Sequence, residues 1–219
     1  MVNIGICYTY TMKKILFDAD GTIYDSGRGI KSCANKTLAY FGYPEKPFEE
    51  LDFFVGPPLK TGFMKCGLKE EEATKAIEVY RKFYHMGGKY DASIYPGMLE
   101  VIQRLSKDNL LYIATFKKEE LARDIASHFH LDIYFKDIYG GIGDEKPDKT
   151  TLIKRVLDHT PYAEEVYMIG DTSLDIIGGK NNHLKTIAVS YGYGNLEEIK
   201  KSQPDYLVKT PLELLDILH

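Results

Sequence analysis

Ile15-Leu16-Phe17-Asp18-Ala19-Asp20-Gly21-Thr22-Ile23-Tyr24-Asp25 is the stretch on which the reading of this chain turns. Three apolar residues in a row, with no polar alternation, suit a short strand covered on both faces. The run stops at a carboxylate, and a second carboxylate follows two residues later. Gly21 then lets the backbone turn sharply and close to a ligand. Two carboxylates so placed can divide a reaction, one attacking phosphorus as a nucleophile and the other passing a proton to and from oxygen. Oxygen-only donors of this kind also suit magnesium. Alone, such a pair is equally well an acidic turn; the apolar run before it and Gly21-Thr22 after it make it specific.

Further apolar runs stand downstream: Leu110–Ala114 stopping at Thr115, Val166–Ile169 stopping at Gly170-Asp171, then Thr186–Val189 and Tyr206–Val208. Amphipathic segments separate them, with Met98, Leu99, Ile102 and Leu105, then Leu121, Ile125 and Phe129, then Leu152, Ile153, Val156 and Leu157 at helical spacing. This strand–helix alternation predicts an open α/β sheet, whose ligands gather at the carboxyl ends of its strands. Residues 26–92 break the pattern. Ile30, Ala34, Leu38 and Phe41 form one helical stripe and Ala73, Ile77, Tyr80 and Tyr84 another, with turn-rich Phe54–Leu59 between. The expected organisation is a core of residues 12–25 and 93–219 interrupted by a helical insertion at 26–92. Residues 1–11 carry no motif, and Met12-Lys13-Lys14 reads as a fresh start, so they are expected to be an extension without a catalytic role.

Three strand ends add to the first. Gly170-Asp171-Thr172-Ser173-Leu174-Asp175 places Asp171 at a strand end and Asp175 a helical turn onward, where both can face one metal; capping of the next helix explains one of these acids and not both. Glu145-Lys146-Pro147-Asp148 reads as a helix start with Asp148 as its cap, and sets Lys146 where a cation would balance phosphate against the acidic cluster. Thr115, closing its run, offers a hydroxyl to a phosphate oxygen.

Taken in order, these four features resemble the haloacid dehalogenase superfamily, from Met12 onward. The resemblance implies a Rossmann-like parallel sheet with a small inserted α-helical cap at 26–92, and a Mg2+ cofactor. It implies Asp18 as nucleophile and metal ligand, and Asp20 as general acid/base that also binds metal through its backbone carbonyl. Thr115 and Lys146 would bind the transferring phosphate, and Asp171 would complete the metal site with Asp175 behind it. The cap type resembles the subgroup of phosphoglycolate phosphatase, β-phosphoglucomutase and pyrophosphatase-like members. Phe116 departs from that subgroup, which often has asparagine after the Ser/Thr. The expected activity is hydrolysis of a small-molecule phosphate monoester through an aspartyl-phosphate, phosphoglycolate-phosphatase-like or nucleotidase-like. Asp20 argues against dehalogenase and phosphonate chemistry. A β-phosphoglucomutase-like sugar phosphomutase, for which Arg28, Lys31, Lys60 and Lys65 are candidate cap charges, and a pyrophosphatase remain as alternatives. A non-catalytic binder is disfavoured because Asp18 and Asp171 are both present.

The whole-chain properties agree. The chain has 219 residues, enough for one core and a small insertion, and a formal net charge of −4, which disfavours a nucleic-acid partner. No apolar run approaches a membrane span. Cys7, Cys33 and Cys66 lie far apart without a CxxC pair, which fits free thiols and a cytoplasmic setting. The six histidines are scattered and read as structural or surface residues.

Overall fold

The computed structural model describes residues 12–142 and 148–218. The expected extension at 1–11 and Lys146 lie outside the described residues. The described residues open with β1 (Lys14–Phe17) and the two-residue β2 (Tyr24–Asp25). Helices α1 (Gly27–Tyr40), α2 (Leu59–Lys65) and α3 (Glu70–His85) follow, with 3-10 turns at Phe48–Phe54 and Gly88–Tyr90. Strand β3 (Ser93–Ile94) pairs antiparallel with β2, so the outgoing and returning chains are tied together at the root of the insertion. Then come α4 (Met98–Leu105), β4 (Leu110–Lys118), α5 (Glu119–His128), β5 (Asp137–Gly141) and α6 (Lys149–His159). The chain continues through β6 (Val166–Gly170), α7 (Ser173–Asn181), β7 (Lys185–Val189), α8 (Leu196–Lys201), β8 (Tyr206–Val208) and α9 (Leu214–Leu218).

The main sheet has the order β5-β4-β1-β6-β7-β8, and every pairing in it is parallel. Strand β1 lies between β4 and β6, with Phe17 level with Ile113 on one side and Ile169 on the other. The chain order reverses across β1, so its carboxyl end opens onto the crevice where such sheets bind ligands. Ile15 and Phe17 point into one apolar cluster with Met98, Ile102 and Leu214. Leu16 points into the other, with Tyr112, Leu152 and Met168. Both faces of β1 are therefore dry, as its unbroken apolar run requires.

The insertion has its own core. Ile30, Leu38, Phe54, Phe63 and Tyr80 belong to a cluster separate from those of the sheet. Phe63 stands edge-on to both Phe54 and Tyr80, at 5.0 and 6.2 Å between ring centres. Burying one such side chain is worth roughly 1.5–3 kcal/mol, and Leu121 and Tyr193 from the sheet side pack against the edge of this cluster.

Three sequence expectations change. Strand β4 does not stop at Thr115; it runs on to Lys118, with a register break between Ala114 and Lys118. Strand β5 was not foreseen, because only Ile138 and Tyr139 of its five residues are large and apolar. In α4 the buried face is Met98, Val101, Ile102 and Leu105, while Leu99 is 40% exposed.

Candidate active site

Asp18 follows β1 directly, and its backbone N–H donates to Ile169 O at 2.8 Å, which fixes the first residue beyond the strand to the neighbouring β6. Its carboxylate meets Lys149, whose Nζ lies 2.7 Å from Asp18 Oδ1 and 2.7 Å from Asp175 Oδ1. The same ammonium donates to Ala114 O at 2.9 Å. Two of its N–H donors are thus spent on Asp18 and Ala114, and its charge lies against Asp175 as well. Lys149 is 3% exposed and is the first residue of α6. The sequence did not single it out; the cation expected from the sequence, Lys146, lies outside the described residues. The signal was present: Lys149 stands three, four and seven positions before Leu152, Ile153 and Val156, on the buried stripe of its helix. Asp148 caps that helix as expected, accepting from Thr151 N at 2.9 Å.

Asp171 directly follows β6 and is 2% exposed. Its Oδ2 accepts from Tyr193 N at 2.9 Å, while its Oδ1 is buried without a hydrogen-bond partner. The backbone is packed so tightly around it that side chains are excluded. Gly21 has φ +81°, and a Cβ there would lie 2.1 Å from Asp171 Oδ2. A Cβ on Gly192 would lie 2.4 Å from Asp171 Cβ, and one on Gly194 1.8 Å from Asp171 O. The loop Tyr191–Gly194 was not singled out in the sequence; its alternation of tyrosine and glycine after a buried run was the available sign. Tyr193 also reaches the root of the insertion, with its hydroxyl bonded to Asp25 and accepting from Gly27 N at 3.2 Å.

Asp175 lies in the first turn of α7 and completes a capping box with Thr172. Its Oδ2 accepts from Thr172 N at 3.0 Å and from Thr172 Oγ1 at 2.6 Å. The helix is thus capped by Thr172 and Asp175, which leaves Asp171 free of that duty. Asp18, Asp171 and Asp175 each present a carboxylate oxygen, all within 4.8 Å of one another and all buried.

Gathering three carboxylates out of water is costly unless a cation joins them. Burial, opposed in part by Lys149 and reinforced by Asp175, pushes the Asp18 carboxyl up to about 7. Burial with the nearby Asp18 and Asp175 raises Asp171 well above the usual carboxylate range. Burial works against the charge on Lys149, but Asp175 and Asp18 outweigh it and raise the ammonium above its ordinary value. One lysine does not balance three acids. The unpartnered Asp171 oxygen, the oxygen-only donor set and the excess negative charge all fit a hard divalent cation.

Asp20 looks the other way, toward the insertion. Its Oδ2 pairs with Lys117 Nζ at 3.0 Å. Lys117 in turn donates to the hydroxyl of Tyr84, on α3, at 2.8 Å. Thr115 is 1% exposed, and its hydroxyl accepts from Lys117 N at 3.2 Å. Asp18, Asp20, Thr115 and Phe116 line one cavity of about 670 Å³ between the sheet and the insertion. Of the four candidate cap charges, Arg28 pairs with Asp91, Lys31 with Asp52 and Lys60 with Glu70, and Lys65 sits 5.0 Å over the Phe53 ring.

The chain is similar to known proteins over most of its length. The sequence pattern of the haloacid dehalogenase-like hydrolases matches residues 15–189. The chain is 37% identical over 196 residues to a 5′-nucleotidase of Pseudomonas aeruginosa, covering 88% of this chain and 89% of that protein. It is 31% identical over 212 residues to a phosphoglycolate phosphatase of Aquifex aeolicus, covering 94% and 97%. A solved haloacid dehalogenase-like family hydrolase from Streptococcus pneumoniae superposes with a TM-score of 0.89 at 32% identity, over 95% of this chain and 99% of that one.

Proposed function

Because the chain belongs to the haloacid dehalogenase-like hydrolase family, we propose that it hydrolyses small-molecule phosphate monoesters through an aspartyl-phosphate on Asp18. That it is a phosphatase follows from the family and from relatives bearing phosphatase and nucleotidase names over nearly their whole length. The observation that carries the mechanism is the opposed pair: Asp18 held among Lys149, Asp171 and Asp175, and Asp20 held by Lys117 on the cavity side.

In the first step a carboxylate oxygen of Asp18 forms a bond to phosphorus as the bond to the leaving oxygen breaks. Asp20 gives that oxygen its proton, and the alcohol departs. In the second step a water oxygen attacks the same phosphorus, Asp20 takes the water's proton, and Asp18 is released with inorganic phosphate. Thr115 offers its hydroxyl to a non-bridging phosphate oxygen. Lys149, hydrogen-bonded to Asp18 and Ala114 O and paired with Asp175, fixes the rotamer of Asp18 and offsets charge. Magnesium, held by Asp18, Asp171 and the backbone carbonyl of Asp20 with Asp175 behind them, would supply positive charge against the phosphoryl oxygens. The insertion serves as a cap over this site, moving on hinges near Ser26–Gly29 and Ala92–Pro96. The setting is cytoplasmic, on the ground that Cys33 and Cys66 are both unpaired. No helix among the described residues is long and apolar enough to cross a membrane.

The test is hydrolysis of p-nitrophenyl phosphate with magnesium and with chelator, by the native enzyme and by Asp18→Asn. Turnover should require magnesium and vanish in the variant. Turnover that survives either change overturns the mechanism.

A further inference from the structure

The cavity above Asp18 and Asp20 is much larger than a phosphoryl group needs. Its volume of about 670 Å³ falls in the range that encloses drug-sized ligands, roughly 300–1,000 Å³. Its walls are chiefly apolar and aromatic. Phe54, Ile77 and Tyr80 face it from the insertion, and Phe116 and Leu121 from the sheet side. Phe116 stands at the floor, where the subgroup it resembles often has a polar amide, so the floor offers a ring face and no side-chain hydrogen bond.

The charges around this space separate into spent and unspent. Lys60 is paired with Glu70, Lys89 with Asp124, and Lys117 with Asp20. Arg81 and His85 also line the cavity, one helical turn apart on α3, so they share a face. Neither side chain has an ion-pair or hydrogen-bond partner among the described residues. Glu120 and Asp124 line the same cavity. Asp124 is spent on Lys89, and a leaving group with a second full negative charge would have to give up water to an apolar wall. A two-carbon acid such as glycolate would also leave most of that wall uncovered. A flat, neutral, acceptor-rich ring meets none of these penalties. It stacks on aromatic side chains, which is worth about 1–3 kcal/mol per nucleobase. Its edge nitrogens and carbonyls accept from Arg81 and His85, and the guanidinium plane also stacks on rings.

We propose that this cap-side pocket is a nucleobase subsite, which makes nucleoside 5′-monophosphates the substrate class. The proposal rests on the phosphatase reading above. Ile77, Phe116 and Arg81 are the residues that set the preference, Ile77 and Phe116 by the faces they offer and Arg81 by its hydrogen bonds to the base edge.

The experiment compares kcat/KM for a panel of nucleoside 5′-monophosphates, ribose 5-phosphate and phosphoglycolate, with p-nitrophenyl phosphate reporting the chemistry alone. Ribose 5-phosphate carries the same reacting group on the same sugar without the base. At least one nucleotide should exceed ribose 5-phosphate and phosphoglycolate by tenfold or more. In Arg81→Ala and in Ile77→Asp the ratio of that nucleotide to ribose 5-phosphate should fall several-fold, mainly through KM. If p-nitrophenyl phosphate is hydrolysed and the base confers no advantage, or if the ratio is unchanged in both variants, the subsite is refuted and the phosphatase mechanism stands. If no monoester is hydrolysed, the mechanism itself fails and the subsite with it.

Discussion

Removing the charge of Asp18 should abolish turnover and yet stabilise the metal-free protein. Burial raises this carboxyl from an ordinary value near 4 to about 7. The folded protein therefore holds a proton on Asp18 over a pH range in which the unfolded chain has lost it. The stability contributed by neutral Asp18 is complete below about pH 4 and is lost as the pH rises through about 7. At about 1.4 kcal/mol for each pKa unit, full ionisation costs the fold roughly 4 kcal/mol. Asparagine has nearly the same volume and cannot ionise, and its carbonyl still accepts from Lys149. In chelator at pH 8, Asp18→Asn should melt higher than the native protein by on the order of 10 °C, given about 2–4 °C per kcal/mol for a chain of this size. At pH 5 most of the difference should disappear. Magnesium should raise the native melting temperature at pH 8, by the equivalent of about 2.7 kcal/mol when it is a hundredfold above its dissociation constant, and the variant's by less. Thermal unfolding followed by circular dichroism at the two pH values, with chelator and with magnesium, measures all of this without reference to activity. A variant less stable than the native protein at pH 8 in chelator, or a gap that does not close in acid, would refute the reasoning.

Three further outcomes are expected. Asp20→Asn should impair kcat/KM far more for an alkyl phosphate than for p-nitrophenyl phosphate, whose leaving group needs no proton; equal losses on the two esters would remove Asp20 from the proton transfer. Lys149→Met should strand Asp18 and Asp175 without their shared cation, at about 3–5 kcal/mol, seen as a fall in melting temperature on the order of 10 °C and turnover near background. Gly192→Ala puts a Cβ 2.3 Å from Gly21 O, so overpacking should cost about 1–3 kcal/mol and should reduce the magnesium-induced rise in melting temperature, because Asp171 is displaced.

Most of the sheet was legible because its strands are covered on both faces and so read as unbroken apolar runs. Strand β5 was not, since an edge strand rich in glycine carries little apolar signal. Asp18, Asp20, Asp171 and Asp175 were legible because acids at the ends of apolar runs have few structural uses. Lys149 was hidden by the opposite circumstance. A lysine in the first turn of a helix is commonplace, and only its phase with Leu152, Ile153 and Val156 shows that it is buried. The glycines around Asp171 were hidden because their reason lies in a strand end far away in sequence. Which residues of the insertion face the cavity depends on how α3 lies over the sheet, which local periodicity does not encode.

The bonds of Tyr193 bear on what can be exchanged between proteins of this architecture. Its backbone secures a carboxylate of the acidic cluster, while its hydroxyl secures Asp25 and Gly27 at the foot of the insertion. A graft that replaces the insertion to change selectivity has to keep Asp25 and Gly27 from this chain and make its junctions inside them. A junction placed one residue too early would detach the tyrosine, loosen Asp171, and disable the chemistry for every substrate, a failure easily mistaken for an incompatible donor.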